Sequence, residues 1–204
     1  MVFRYVPLAL AALVYSVMWL WHSGRAAVTQ ALTEEHIPVE GFMAALEKNG
    51  VPRVPGTAVF LTRSKTGVPP VMAWHVHHNR ALHERVMVLN VSIEPVPWVW
   101  SKDRLHFVEE APNFWRAAAS FGFMERPDIP AVLRDAKEKG CAIFLDDVTY
   151  YIGHETVMPR EDGEGLRKWQ VSLFSVMDRN AAKVTDFFKL PVNDVVEIGR
   201  EVAI

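Results

Sequence analysis

The sequence predicts an α/β protein: one N-terminal transmembrane helix, then a mixed-sheet cytoplasmic domain containing a βαβ unit. Three observations predict it. No formally charged side chain occurs from Tyr5 to Gly24. Two short runs of β-forming residues, 57–62 (TAVFLT) and 85–93 (RVMVLNVSI), flank a helix-compatible stretch at a spacing that suits a parallel crossover. Shorter strand and helix patterns then alternate to the C-terminus.

Twenty helical residues span about 30 Å, the thickness of a bilayer's hydrocarbon core. In lipid a helix satisfies its own backbone polar groups, so this form is required there. Tyr5 at one end and Trp19 and Trp21 at the other lie where amphipathic rings favour the headgroup level. Pro7 falls in the first turn, where its missing N–H does little harm. Four Leu and three Val contribute about −2 to −4 kcal/mol to insertion, a modest sum that partner helices would supplement. Ala9, Ala11, Ala12 and Ser16 offer a small-residue face for such partners. A cleaved leader is the competing reading, but the bulky Trp pair occupies the place where small residues prepare cleavage. A buried soluble helix rarely lacks charge for so long. Arg25, Lys48, Arg53, Arg63 and Lys65 follow the apolar stretch and only Arg4 precedes it, which places the C-terminal side in the cytoplasm.

The expected division is therefore residues 1–24 as the span, 25–50 as a helical juxtamembrane connector and 51–204 as the cytoplasmic domain. Val39, Phe42, Met43 and Leu46 recur at helical spacing in the connector, and Gly50 and Pro52 end it. A strand at 57–62 is followed by a polar loop, a helix over 71–84 and a strand over 85–93. Residues 104–109 and 113–121 read as a hairpin-like pair. Asp128 caps a helix whose buried stripe is Val132, Leu133 and Ala136, closed by Gly140. Residues 148–153 are β-rich, and 156–158 continue or pair with them. Leu166, Trp169, Leu173, Val176 and Met177 form the clearest amphipathic pattern, with the apolar stripe expected inward. A further helical piece runs over 180–188, and 195–198 with 202–204 supply a last strand.

The chemistry-bearing residues form no catalytic constellation. His75, His77, His78 and His83 crowd one segment, but adjacent imidazoles face different sides of a helix, and His83-Glu84 lacks the second His of a zinc-protease helix. Surface or capping roles are expected for all four. Asp146-Asp147 reads as a turn, not as an acid–base pair. Gly163 and Gly165 make no phosphate-binding fingerprint. Cys141 lies in an apolar run, which predicts a buried, inert thiol. Trp98 and Trp100 lie in a Pro-containing loop; covering the sheet edge and contacting the membrane or a partner are the alternatives, and loop packing is the default. No catalytic, cofactor-binding or metal-binding residue is assigned. A net charge of −2 gives no electrostatic footprint for nucleic acid.

Segments 52–62 (PRVPGTAVFLT), 78–86 (HNRALHERV), 121–127 (FGFMERP) and 179–199 (RNAAKVTDFFKLPVNDVVEIG), in this order and spacing, resemble the C-terminal region of the Kup/HAK/KT potassium uptake transporters. Pro7-Leu8-Ala9-Leu10 looks like that family's last transmembrane helix. The resemblance implies part of a K+/H+ symport-type transporter of the inner membrane, not an enzyme. The ion pathway lies in other helices and maps to no residue of this sequence. It also implies a regulatory tail that assists homodimerisation, with a nucleotide as a possible regulator. Partners would be membrane lipid and the remaining transporter helices, encoded separately if the gene is split. A single-pass sensor is the alternative, its ligand held at the strand ends near 62–67 and 93–97.

Overall fold

A computed structural model describes residues 5–33, 37–64, 66–158, 168–179 and 187–203. The chain divides into two compact units. One comprises residues 1–35, 155–181 and 200–204; the other comprises 36–154 and 182–199.

In the first unit, α1 (Val6–Thr33) runs without interruption past Gly24. Its segment Val6–Val28 is long and apolar enough to cross a membrane. Leu8, Leu10, Leu13, Tyr15 and Met18 are exposed, while Leu20, Gly24 and Val28 are buried at a four-residue spacing. That stripe marks the face next to the helix Lys168–Arg179 (α6), where Phe174 stacks obliquely on Trp21 at 5.4 Å. Gly24 is required for this approach, since a Cβ there would stand 2.4 Å from the Phe174 ring. The α6 stripe corrects the sequence expectation. Val171 and Phe174 are the buried residues, and Trp169, Leu173 and Val176 are exposed. Leu166 lies outside the described residues, as do the loop at 160–165 and residues 180–186 of the expected helical piece.

The second unit is built on a six-stranded sheet: β1 (Arg53–Thr62), β2 (Leu82–Glu94), β3 (Leu105–Ala111), β4 (Phe114–Gly122), β5 (Val148–Met158) and β6 (Val195–Ala203), in the order β3-β4-β2-β1-β5-β6. β5 and β6 each run on past the unit's limit; in β5 the segment 156–158 continues the strand begun at 148, and β6 is the one last strand expected, without a break between 198 and 202. β1 pairs in parallel with β2 (Phe60↔Val88) and with β5 (Phe60↔Tyr151), and β2 pairs in parallel with β4. β3 and β4 form the expected antiparallel pair (Leu105↔Ala119). The βαβ unit is β1, α3 (Pro70–Asn79) and β2.

Both sheet faces are covered, which is why β1 and β2 read as near-continuous apolar runs. On one face Val59, Leu61, Met87 and Leu89 pack with Ile129, Val132, Leu133 and Ala136 of α5 (Ile129–Glu138). On the other Ala58, Phe60, Val86 and Val88 pack with Val39 and Leu46 of α2 (Val39–Lys48) and Met72 of α3. Asp128 caps α5 as expected, its side chain accepting from Ala131 N at 2.9 Å. A four-residue helical turn, α4 (Ser101–Arg104), precedes β3.

Helix α3 ends at Asn79, five residues before the predicted position 84. Arg80 takes the left-handed conformation (φ 52°) and donates its N–H to Val76 O. Leu82, fully buried, already pairs with Arg53 as the first residue of β2. Burial of one leucine in the sheet core overrides the local helical pattern.

Candidate functional site

The carboxyl ends of parallel strands are the usual place for a ligand in an open α/β sheet. Here both end loops are tied down by the protein's own groups. After β1, Ser64 N donates to Thr62 Oγ1 (3.0 Å), Ser64 Oγ to Thr66 O (2.7 Å), and Arg116 Nη2 reaches across from β4 to Gly67 O (2.7 Å). Asn90 Nδ2 of β2 donates to Thr62 O. Ser92 donates to Glu94 Oε1 at 2.8 Å, and its hydroxyl lies 3.0 Å from that of Ser120.

After β2, residues 95–100 (PVPWVW) are clamped onto the segment after β4. Phe123 N donates to Val96 O (3.0 Å) and Met124 N to Pro97 O (3.3 Å). Glu125 is the centre of this clamp. Its Oε2 accepts from Val99 N (2.9 Å) and Gly122 N (2.7 Å), and its Oε1 pairs with Arg104, which also donates to Val99 O. Burial alone would raise the Glu125 carboxyl, but the Gly122 and Val99 N–H groups and the Arg104 guanidinium outweigh it and hold it below its ordinary value. Gly122 has no room for a side chain, since a Cβ would meet Pro97 O at 2.2 Å. The loop therefore stands rigid with Trp98 and Trp100 exposed at 64% and 79%, a correction to the packing role expected of them.

The histidine segment is split by the early end of α3. His77 and His78 are exposed on that helix, His75 is buried, and His83 sits half-buried on β2. His75 departs from the expected surface role because its ring packs at 4.5 Å from Tyr151 and 6.0 Å from Phe60. Asn79 Nδ2 lies 2.8 Å from His75 Nδ1, an arrangement that suits a neutral ring accepting at that atom. Burial, and then the neighbouring His83, lower the pKa of His75. Burial also lowers that of His83, against the pull of Asp147. A histidine with a lowered folded pKa stabilises the fold above its ordinary value of 6.5, and that stability is lost as pH falls below it. The melting temperature of the sheet unit is thus expected to drop between about pH 7 and pH 5. His75→Phe should flatten the drop; an unchanged slope in melts at both pH values would show that His75 is not responsible.

Asp146 and Asp147 lie in the bend that enters β5, where Asp147 O accepts from Thr57 N at 2.8 Å. Cys141 is buried, and its thiol is pushed up to about 11 by burial and by Glu109, so it carries little thiolate. Gly163 and Gly165 lie outside the described residues. Among the described residues no three His, Cys, Asp or Glu side chains converge as a metal site would need.

Residues 55–204 match the pattern of the K+ potassium transporter C-terminal domain, from inside β1 to the last residue. The chain belongs to this potassium transporter family. Over 200 residues, 98% of the chain, it is 60% identical to the probable potassium transport system protein Kup 1 of Bradyrhizobium sp. (strain ORS 278), covering 32% of that protein. Over the same share of both chains it is 41% identical to Kup 3 of Legionella pneumophila (strain Lens) and 36% identical to Kup 1 of Geobacter sulfurreducens. The chain spans about a third of the length of these Kup relatives. The Kup alignments reach beyond the family match at the N-terminal side, so they take in most of α1. No solved structure matches the chain.

Proposed function

We propose that this chain is the regulatory and dimerising part of a potassium uptake system of the K+/H+ symport type. Residues 1–24 anchor it in the inner membrane, 25–50 connect, and 51–204 form the cytoplasmic domain. The observation that carries the reading is the family match over 55–204, joined to one apolar helix of spanning length. In this reading the chain is not an enzyme. Potassium crosses a bilayer only through a polar, protein-lined path built by several helices. Among the described residues α1 is the single helix of that length, and its exposed side chains are mostly hydrocarbon. The path is then supplied by further transporter helices, with this chain as a homodimer beside them and a nucleotide as the candidate regulator.

The test is growth of an uptake-deficient bacterium on limiting potassium. Expression of this chain alone is expected to give no rescue. Co-expression with the membrane helices of a Kup relative should restore growth. Rescue by the chain alone overturns the proposal.

A further inference from the structure

We propose that His75 and His83 form a proton-operated latch on the end of α3: uncharged, the pair seats that end against the sheet, and charged, it lets the end lift away. The inference goes beyond the transport reading and does not depend on it, since every group involved lies in the sheet unit. The way α3 is anchored makes the device local. Met72 and His75 are the buried residues of this helix, so its last turn is seated through His75. Val76 is half-buried, and His77, His78 and Asn79 are exposed. Only Arg80 and Ala81 then precede β2, and Arg80 holds the left-handed conformation (φ 52°) that non-glycine residues disfavour. A helix end held this lightly opens without the rest of the domain.

The surroundings of the pair accept one charge poorly and two worse. The His75 ring lies 4.5 Å and the His83 ring 5.9 Å from the ring of Tyr151, so both imidazoles share one neighbour. Burial raises the Tyr151 phenol, which therefore brings no charge. β1 offers His75 the Phe60 ring, and α3 itself offers the Asn79 amide. His83 Nδ1 is buried with no hydrogen-bond partner among the described residues. Asp147, at the entrance of β5, favours charge on His83, while Arg53 of β1 donates to His83 O and brings a second cation, itself faced by Glu47 of α2. The first proton thus goes to His83 beside Asp147, and a proton on His75 then meets that charge inside a buried site. β2 is fixed by its pairing with β1 from Leu82 onward, so the helix end is the part that yields. Its departure takes Val76, His77 and Arg80 out of the groove they line with Phe42 and Leu46 of α2, which turns protonation into a change of surface. Helix-end electrostatics alone have the opposite sign, because charge on the exposed His77 and His78 in the last turn favours the helix. Weakening in acid is therefore a mark of the buried pair.

The experiment follows native-state hydrogen exchange of the full chain in detergent micelles at about pH 7.5 and about pH 5.5, corrected for the intrinsic pH dependence of exchange. Low urea separates local opening, which it leaves alone, from global unfolding, which it promotes. Amides 76–82 are expected to exchange through a urea-insensitive opening that is about tenfold more populated at the lower pH. That factor is what one histidine yields about one unit below its ordinary value when it is uncharged only in the closed form. The amides of α5 should exchange through the urea-sensitive route. His75→Phe should abolish the acid effect on the local opening, and His83→Gln, which leaves the helix anchor in place, should reduce it. A local opening equally populated at both pH values overturns the inference. So does an acid effect that survives intact in His75→Phe, or amides 76–82 that exchange only by the global route. If His75→Phe does not fold, an undiminished acid effect in His83→Gln overturns it instead.

Discussion

Phe60→Ala is expected to lower the stability of the sheet unit by about 3–5 kcal/mol. Phe60 is fully buried on the central strand β1, paired with Val88 on one side and Tyr151 on the other. Its ring stacks on Tyr151 at 4.7 Å and 17°, and meets the His75 ring edge-on. The space left by truncation cannot close easily. Its floor is a strand hydrogen-bonded on both sides, and its roof is the α2 and α3 layer that buries Val39, Leu46 and Met72. Transfer and cavity costs therefore both apply. Domains are typically stable by only about 5–15 kcal/mol, so the loss takes much of the total. Phe60→Leu keeps most of the volume and should cost less than about 2 kcal/mol. Urea denaturation of the full chain, read by hydrogen exchange at β1 and β2 amides, separates the two. A loss below about 1 kcal/mol for the alanine variant would mean that the neighbouring layer collapses into the gap.

The parts of this fold legible in the sequence are those where local pattern and tertiary role agree. The runs 57–62 and 85–93 are apolar on both alternations, which only a sheet covered on both faces requires, and that is what α5 and the α2/α3 layer provide. Asp128, Pro130 and Gly140 delimit α5 by local backbone chemistry, so its place was readable. The errors arise where a distant contact decides. Leu82 looks helical beside Ala81 and His83 but is taken by the sheet, which shortens α3. His75 reads as a surface histidine until Tyr151, 76 positions on, closes over it. The apolar stripe of α6 matched helical spacing, but burial falls on Val171 and Phe174, since it is Phe174 that meets the side-chain-free surface of Gly24. Neither the Glu125 clamp nor the exposure of the Trp loop carries a sequence signal of its own. The acceptor sits 26 residues from the Val99 amide it holds, and only the parallel pairing of β2 with β4 brings their ends together.

That clamp yields the second large effect. Glu125→Ala is expected to destabilise the sheet unit by about 2–4 kcal/mol and to free the 95–100 loop. The carboxylate accepts from two backbone N–H groups and pairs with Arg104; its loss strands the Val99 and Gly122 donors and leaves a part-buried guanidinium short of its counter-charge. The Arg104 side chain also lies 5.1 Å over the Phe121 ring, so it is not free to swing fully into water without losing that contact. Glu125→Gln should cost less, because its amide oxygen still accepts one N–H, though without charge. Acid should imitate the alanine variant. With the folded pKa held below the ordinary 4.5, the stabilisation is complete above 4.5 and is lost as pH falls through the folded value. Hydrogen exchange at the Val99 and Gly122 amides reads the effect at its source: both should become unprotected in Glu125→Ala at pH 7, ahead of the β4 amides. If the two amides stay protected in the alanine variant, the loop is held instead by the Phe123–Val96 and Met124–Pro97 backbone bonds, and Glu125 follows the loop's conformation without imposing it.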